Sequence, residues 1–253
     1  LLAQEGARDH GDWLELDRTV AGVRWLRGNA ELRLEAGVET SRSLTVRATP
    51  ADGAFRPNHP LGGGGVQFGR FGVDAQWGLP HGRLLRGAVS FEAGTRERGY
   101  FRGSLATEAT LPVGSTRIAL SGRAGWSDGD VPLWRTFVLG GRATLPGEPY
   151  REYGGRRMAL ARLEWAVASV PAPRLGPWLA GGRLLTLAPF AAIGWTKAPP
   201  TAGPWLASDG IRPVLGVASE LLFNALRLEA AWAPRAGRVS VLLDASPAWW
   251  PLL

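Results

Sequence analysis

Residues Ala225 to Trp232 read ALRLEAAW, with an apolar residue at nearly every second position and Arg227 and Glu229 between them. Side chains alternate faces along a strand, so Leu226, Leu228, Ala230 and Trp232 share one face and Arg227 and Glu229 the other. The same pattern recurs in segment after segment. A series of strands, each with a greasy face ending in Trp and a face of Arg and Glu, is most economically accommodated as a closed membrane barrel, apolar outside and polar inside.

Working outward from that stretch, the period-2 pattern predicts about twelve strands. They are Trp13 to Leu26, Asn29 to Val38, Ser43 to Ala48, Val66 to Trp77, Leu84 to Gly94, Tyr100 to Leu111 and Thr116 to Trp126. After a loop of nearly thirty residues come Arg157 to Ala168, Leu184 to Thr196, Ile211 to Phe223, Ala225 to Ala233 and Arg238 to Ala245. The expected fold is therefore all-β, an antiparallel transmembrane β-barrel with a long external loop between strands 7 and 8. Barrels of this type have short turns on the periplasmic side and longer loops outside. With a periplasmic C-terminus, the connections at 49–65, 127–156 and 197–209 fall outside, and tight turns at Ser41-Arg42, Val113-Gly114 and Asn224 fall inside. The internal connection near 170–182 is longer than that rule expects.

Composition fits this reading. The chain has 253 residues, 35 Gly, 12 Trp and no Cys, and no window approaches the roughly 20 apolar residues of a spanning helix. The formal charge of +7 comes from 29 Lys and Arg against 22 Asp and Glu. The arginines fall singly on polar strand faces rather than in patches, which disfavours nucleic acid as a partner. Residues 1–11 read as an N-terminal tail or the remnant of an upstream segment, and 12–253 as the barrel. Leu1-Leu2-Ala3-Gln4 would suit either the tail of a secretory signal or a cut point inside a longer protein. The competing architecture is a soluble antiparallel sandwich, whose core would hold the apolar faces. Trp at segment ends (Trp77, Trp126, Trp195 and Trp232) favours the barrel, because interfacial aromatics form membrane girdles.

The stretch Phe137 to Trp165, FVLGGRATLPGEPYREYGGRRMALARLEW, resembles the loop and following strand of the bacterial surface antigen superfamily, the outer-membrane protein assembly factors and their relatives. Leu139, Gly140 and Gly141 match its loop opening, and Leu163, Glu164 and Trp165 match its Leu-Glu-aromatic strand end. Pro189 to Trp195, Gly210 to Phe223 and Leu226 to Glu229 are similar to the strands that follow, so the resemblance runs from Phe137 to Ala245. It implies an outer-membrane location, a role in protein insertion or translocation, and client polypeptides or periplasmic domains as partners beside outer-membrane lipids. The departures are specific. The family's tip Arg falls at Pro146, with Gly147 retained and Glu148 in place of the aromatic; Tyr150, Arg151 and Tyr153 are out of register. The family's inward Asp falls near Ala192. The chain ends Trp249-Trp250-Pro251-Leu252-Leu253 rather than in a terminal aromatic.

No enzyme is expected, and no cofactor or metal. His10, His59 and His81 are widely spaced, Cys is absent, and no ligand-spaced carboxylate cluster is seen. Only His59, beside Gly62 to Gly65, offers a catalytic candidate, and no Lys-Ser/Thr follows those glycines to make a phosphate loop. The expected lumen-facing residues are Arg70, Arg86, Arg102, Glu108, Arg117, Arg123, Arg162, Glu164, Arg212, Glu220, Arg227 and Glu229. Arg33, Arg47, Arg238, Glu31, Glu35, Asp74, Glu92 and Asp244 extend the same rows. Two readings stand side by side: a ladder of ion pairs, or an anion-preferring passive pore that the long loop could plug. A membrane anchor for an upstream domain is a third. On the assigned faces, Leu228→Arg should impair insertion and Arg227→Ala should be milder.

Overall fold

A computed structural model describes residues 14–44, 59–142, 144–171, 183–221 and 226–245. Outside it lie the N-terminal tail, Trp13, His10, Arg47, the 172–182 connection, the expected turn at Asn224 and the C-terminal Trp249 to Leu253.

Fourteen strands are described: β1 (Leu14–Arg27), β2 (Ala30–Ser43), β3 (Gly65–Leu79), β4 (Arg83–Thr95), β5 (Gly99–Val113), β6 (Thr116–Gly129), β7 (Phe137–Leu139), β8 (Tyr153–Gly155), β9 (Arg157–Ala166), β10 (Ala168–Pro171), β11 (Arg183–Lys197), β12 (Arg212–Leu221), β13 (Leu226–Ala233) and β14 (Arg238–Ala245). Twelve of them form one antiparallel sheet in the order β1-β2-β3-β4-β5-β6-β9-β11-β12-β13-β14, with β10 continuing the line of β9 against β11. β7 and β8 form a separate two-stranded sheet within the long loop.

Twelve strands make up the main sheet, but they fill eleven positions, because β9 and β10 share one, and the start of the sheet differs from expectation. No turn occurs at Ser41-Arg42: β2 runs through both residues to Ser43, pairs with β1 up to Leu14↔Ser43, and pairs directly with β3. The separate third strand expected at Ser43 to Ala48 is replaced by this extension, and residues 45–48 lie outside the described set. The long loop consequently enters after the sixth position of the sheet, and β9 and β10 together fill the seventh.

The connections at 44–64, 130–156 and 198–211 share one end of the sheet, here the loop end. The turns at 28–29, 80–82 and 114–115 share the other, the turn end. Between the ends, alternate residues face opposite sides. Leu32, Leu34, Phe71, Phe91, Leu105, Leu120, Leu163, Leu215, Leu228 and Val241 are all exposed on the outer face. Outward tryptophans form two levels. Trp25, Trp77 and Trp165 lie toward the turn end, and Trp126, Trp195 and Trp232 toward the loop end. Such paired girdles are what an apolar band bounded by two interfaces requires. The buried apolar residues are not between two sheets, as in a sandwich; they lie where the long loop meets the inner face.

Candidate functional site: a loop seated in the lumen

The 130–156 loop folds back onto the inner face of the sheet. It starts with a 3-10 turn at Leu133–Arg135, passes along β7, and returns along β8. Leu139, Leu145 and Tyr153 are buried against Leu160, Phe190, Val214 and Ala231. The seat is shallow because inward positions of β11–β13 are small: Ala188, Ala192, Ala218, Ala231 and Ala233 are all buried there. Gly194 makes a close approach. A Cβ built on it would stand 2.8 Å from Leu145 Cδ1 and 2.9 Å from Leu139 Cδ1. At the tip, Gly147 takes a φ of +95°, and a Cβ there would come 3.1 Å from the Ala233 Cβ. Gly140 and Gly141 also have positive φ, at 116° and 75°. Tyr150 remains exposed, and Arg151 takes a left-handed φ of 51° at the loop surface.

Charge fastens the loop at three places. In the first, Arg135 is bound by Glu39 of β2 (3.1 Å) and by Glu92 of β4, and its guanidinium donates to the Tyr100 hydroxyl at 2.7 Å. Trp134 Nε1 donates to Glu39 at 2.7 Å. Burial alone would lower the Arg135 pKa, but Glu92, Tyr100 and Glu39 together hold it above its ordinary value. Arg70 supports this cluster through Glu92 (2.6 Å) and Glu35 (3.4 Å). Arg102 stacks 4.1 Å over Phe137 and donates to the Arg135 carbonyl at 3.1 Å.

The second place is the tip. Tyr153 donates to Glu148 at 3.0 Å, and the Arg212 guanidinium lies 4.6 Å over the Tyr153 ring and 3.7 Å from Glu148. Burial first, and then the Glu148 carboxylate, push the Tyr153 phenol pKa upward. The family resemblance puts a cation on the loop and acids on the wall; here the loop supplies the acid and β12 the cation. Ala192, where the resemblance puts an inward Asp, is part of the apolar seat. At the third place, Arg142 reaches Asp244 of β14 at 3.0 Å.

Below the loop, β9 and β13 carry an ion-pair lattice. Arg227 binds Glu164 (2.5 Å), Glu229 (2.7 Å) and Glu220 (3.0 Å), and Arg162 binds Glu229 (2.7 Å) and Glu164 (3.1 Å). Toward the turn end, β1–β6 line an open cavity of about 680 Å³ whose lining includes Glu31, Asp74, Arg86, Glu108 and Arg123. Arg33 pairs with Asp74 and Glu31, Arg24 pairs with Glu31, and Arg86 donates to Gln76 at 2.8 Å. Glu108, Arg117 and Arg123 are exposed, without an ion pair among the described residues. Arg238 is exposed at the loop end of β14.

Sequence reasoning missed Arg135, Trp134, Tyr100 and Arg142. The only available signal was Leu133-Trp134-Arg135, an aromatic-cation pair in a loop otherwise rich in Gly and Pro. The glycine-rich segment beside His59 is anchored to β2. Gly62 and Gly63 donate their amides to the Ser43 and Ser41 hydroxyls, at 2.8 and 3.1 Å, which pins the glycine-rich segment to β2.

No protein-family model and no curated protein sequence matches the chain. Solved structures do match. BamA from Haemophilus ducreyi lacking POTRA domains 1-3 superposes with a TM-score of 0.64 at 13% identity, over 93% of this chain and 55% of that one. CdiB from Acinetobacter baumannii gives 0.60 at 11% identity over 91% of this chain and 41% of that one. CdiB from Escherichia coli gives 0.57 at 14%, over 91% and 44%. The chain has the β-barrel fold of these proteins and spans about half the length of each.

Proposed function

We propose that this chain is an outer-membrane barrel that handles polypeptides, inserting them into that membrane or passing them across it. The observation that carries the reading is the loop seated inside the sheet. Leu139, Gly140 and Gly141 lie in it and Gly147 is at its tip, residues on which the sequence resemblance to the surface antigen superfamily rests. The outward apolar rows and two Trp levels support residence in a bilayer, with outer-membrane lipids as immediate partners. Of the eight arginines expected to face the lumen, Arg70, Arg162, Arg212 and Arg227 are engaged in ion pairs. A passive anion-preferring pore is less favoured, because the loop occupies the loop end of the lumen and half of those guanidinium groups are already paired with carboxylates.

The test is reconstitution into liposomes, followed by addition of a urea-unfolded eight-stranded outer-membrane barrel. Faster insertion of that client than into protein-free liposomes is the expected result. No acceleration, combined with steady ion conductance, would transfer the assignment to a pore.

A further inference from the structure

We propose that the outer face of β6, β9 and β11 holds a binding site for one phosphate-bearing lipid of the loop-side leaflet. The juxtaposition has three parts. An apolar notch of about 460 Å³ is lined by Ala159, Ala161, Ile193, Trp195 and Ile211. Its floor continues onto β6, where the register sets Ala124 opposite Ala159 and Gly122 opposite Ala161. Small side chains in a row flanked by Trp126 and Trp195 leave a trough that suits an acyl chain.

The second part is charge. Lys197 and Arg157 are direct cross-strand partners, two positions beyond Trp195↔Ala159 and therefore on the same face. Both are exposed, on the same outer face as Ala159 and Trp195, and neither has an ion pair among the described residues. Like charges directly opposite one another in a sheet are destabilising. An anion held between them removes that penalty. The third part is level. Trp126 pairs with Arg157, so the two cations stand at the loop-end aromatic girdle, where headgroup phosphates lie. One lipid would place its phosphate between Arg157 and Lys197 and a chain in the notch. The inference rests on the chain residing in a membrane.

The experiment uses the full chain in phosphatidylcholine vesicles with or without phosphatidylglycerol, and reads lipid retained after detergent extraction by native mass spectrometry. Wild type should retain one phosphatidylglycerol in preference to phosphatidylcholine. Arg157→Gln with Lys197→Gln should weaken that retention about tenfold or more. Ala161→Phe, which fills the notch without altering charge, should also lose it. Arg27→Gln with Arg83→Gln, an equal charge change at the turn end, should retain it. Equal loss in that control, or full retention in both site variants, overturns the site. A protein that enters neither vesicle overturns the membrane residence and this inference with it.

Discussion

Arg135 lies outside every strand of the main sheet, yet its guanidinium ties the long loop to β2 and β4. Period-2 reading identifies residues whose neighbours alternate, so it finds Arg70 and Glu92 and passes over an arginine in a loop. The inward alanines were equally illegible. Ala188, Ala192 and Ala231 are neither charged nor bulky, and only the loop above them gives them a role. Tyr153 offers a test of how that loop is held. Its phenol donates to Glu148, and its pKa is raised above the ordinary value of about 10. A raised folded-state pKa means the folded protein holds the proton more tightly. The stabilisation is therefore fully present below the ordinary tyrosine value and is lost as pH rises through the higher folded one. Alkaline titration of wild type should release the loop, seen as new protease cleavage within residues 130–156. Tyr153→Phe should show weaker docking at neutral pH and a flatter alkaline profile. Identical profiles in the two proteins would remove Tyr153 from the docking contact.

At the level of elements, nearly every strand of the main sheet was legible, because apolar and polar faces alternate along each one, whereas β7 and β8 lie in the stretch read as a loop. The exception, β2, is instructive. Beyond Val38 it continues through Thr40, Ser41 and Arg42, where Arg42 faces outward and pairs with Glu15 at 2.5 Å. A strand that runs past the apolar band has water on its outer face, so its alternation ends while its hydrogen bonds continue. A polar stretch then imitates a turn. The pairing of β13 bears on the expected contrast between Leu228 and Arg227. Leu228 is exposed on the outer face, and Leu228→Arg should cost up to about 2–4 kcal/mol at the bilayer midplane, less nearer an interface. Arg227, however, serves three carboxylates at once. Removing it leaves Glu164 and Glu229 with Arg162 and takes the pair from Glu220, so Arg227→Ala should destabilise by about 1–3 kcal/mol, still less than Leu228→Arg near mid-bilayer. Adding Glu164→Gln should recover part of that loss. Urea unfolding of the variants in lipid vesicles measures both. An unaltered Arg227→Ala midpoint would mean that water, not the lattice, stabilises those carboxylates.

Taken as a whole, the molecule divides its interior along the barrel axis. The loop fills the loop end, an ion-pair lattice lines one wall below it, and a cavity opens toward the turn end. The sheet has eleven positions once β9 and β10 are counted together, so β1 and β14 run in the same direction and do not pair among the described residues. The loop bridges toward both edges, through Arg135 to β2 beside β1 and through Arg142 to β14. It therefore acts as plug and brace at once, and loosening it should have two separable consequences. Arg135→Ala should raise single-channel conductance in a planar bilayer above a low wild-type level, because the plug loses its attachment to Glu39 and Glu92. Arg142→Ala removes only an exposed pair, of small energetic value, and should leave conductance low. Gly194→Val supplies an independent route to the same open state by pushing Leu139 and Leu145 off their seat without altering any charge. If Arg135→Ala and Gly194→Val both conduct no more than wild type, the loop does not control the passage. If both conduct and Arg142→Ala does not, closure depends on how deeply the loop is seated rather than on the number of its ion pairs.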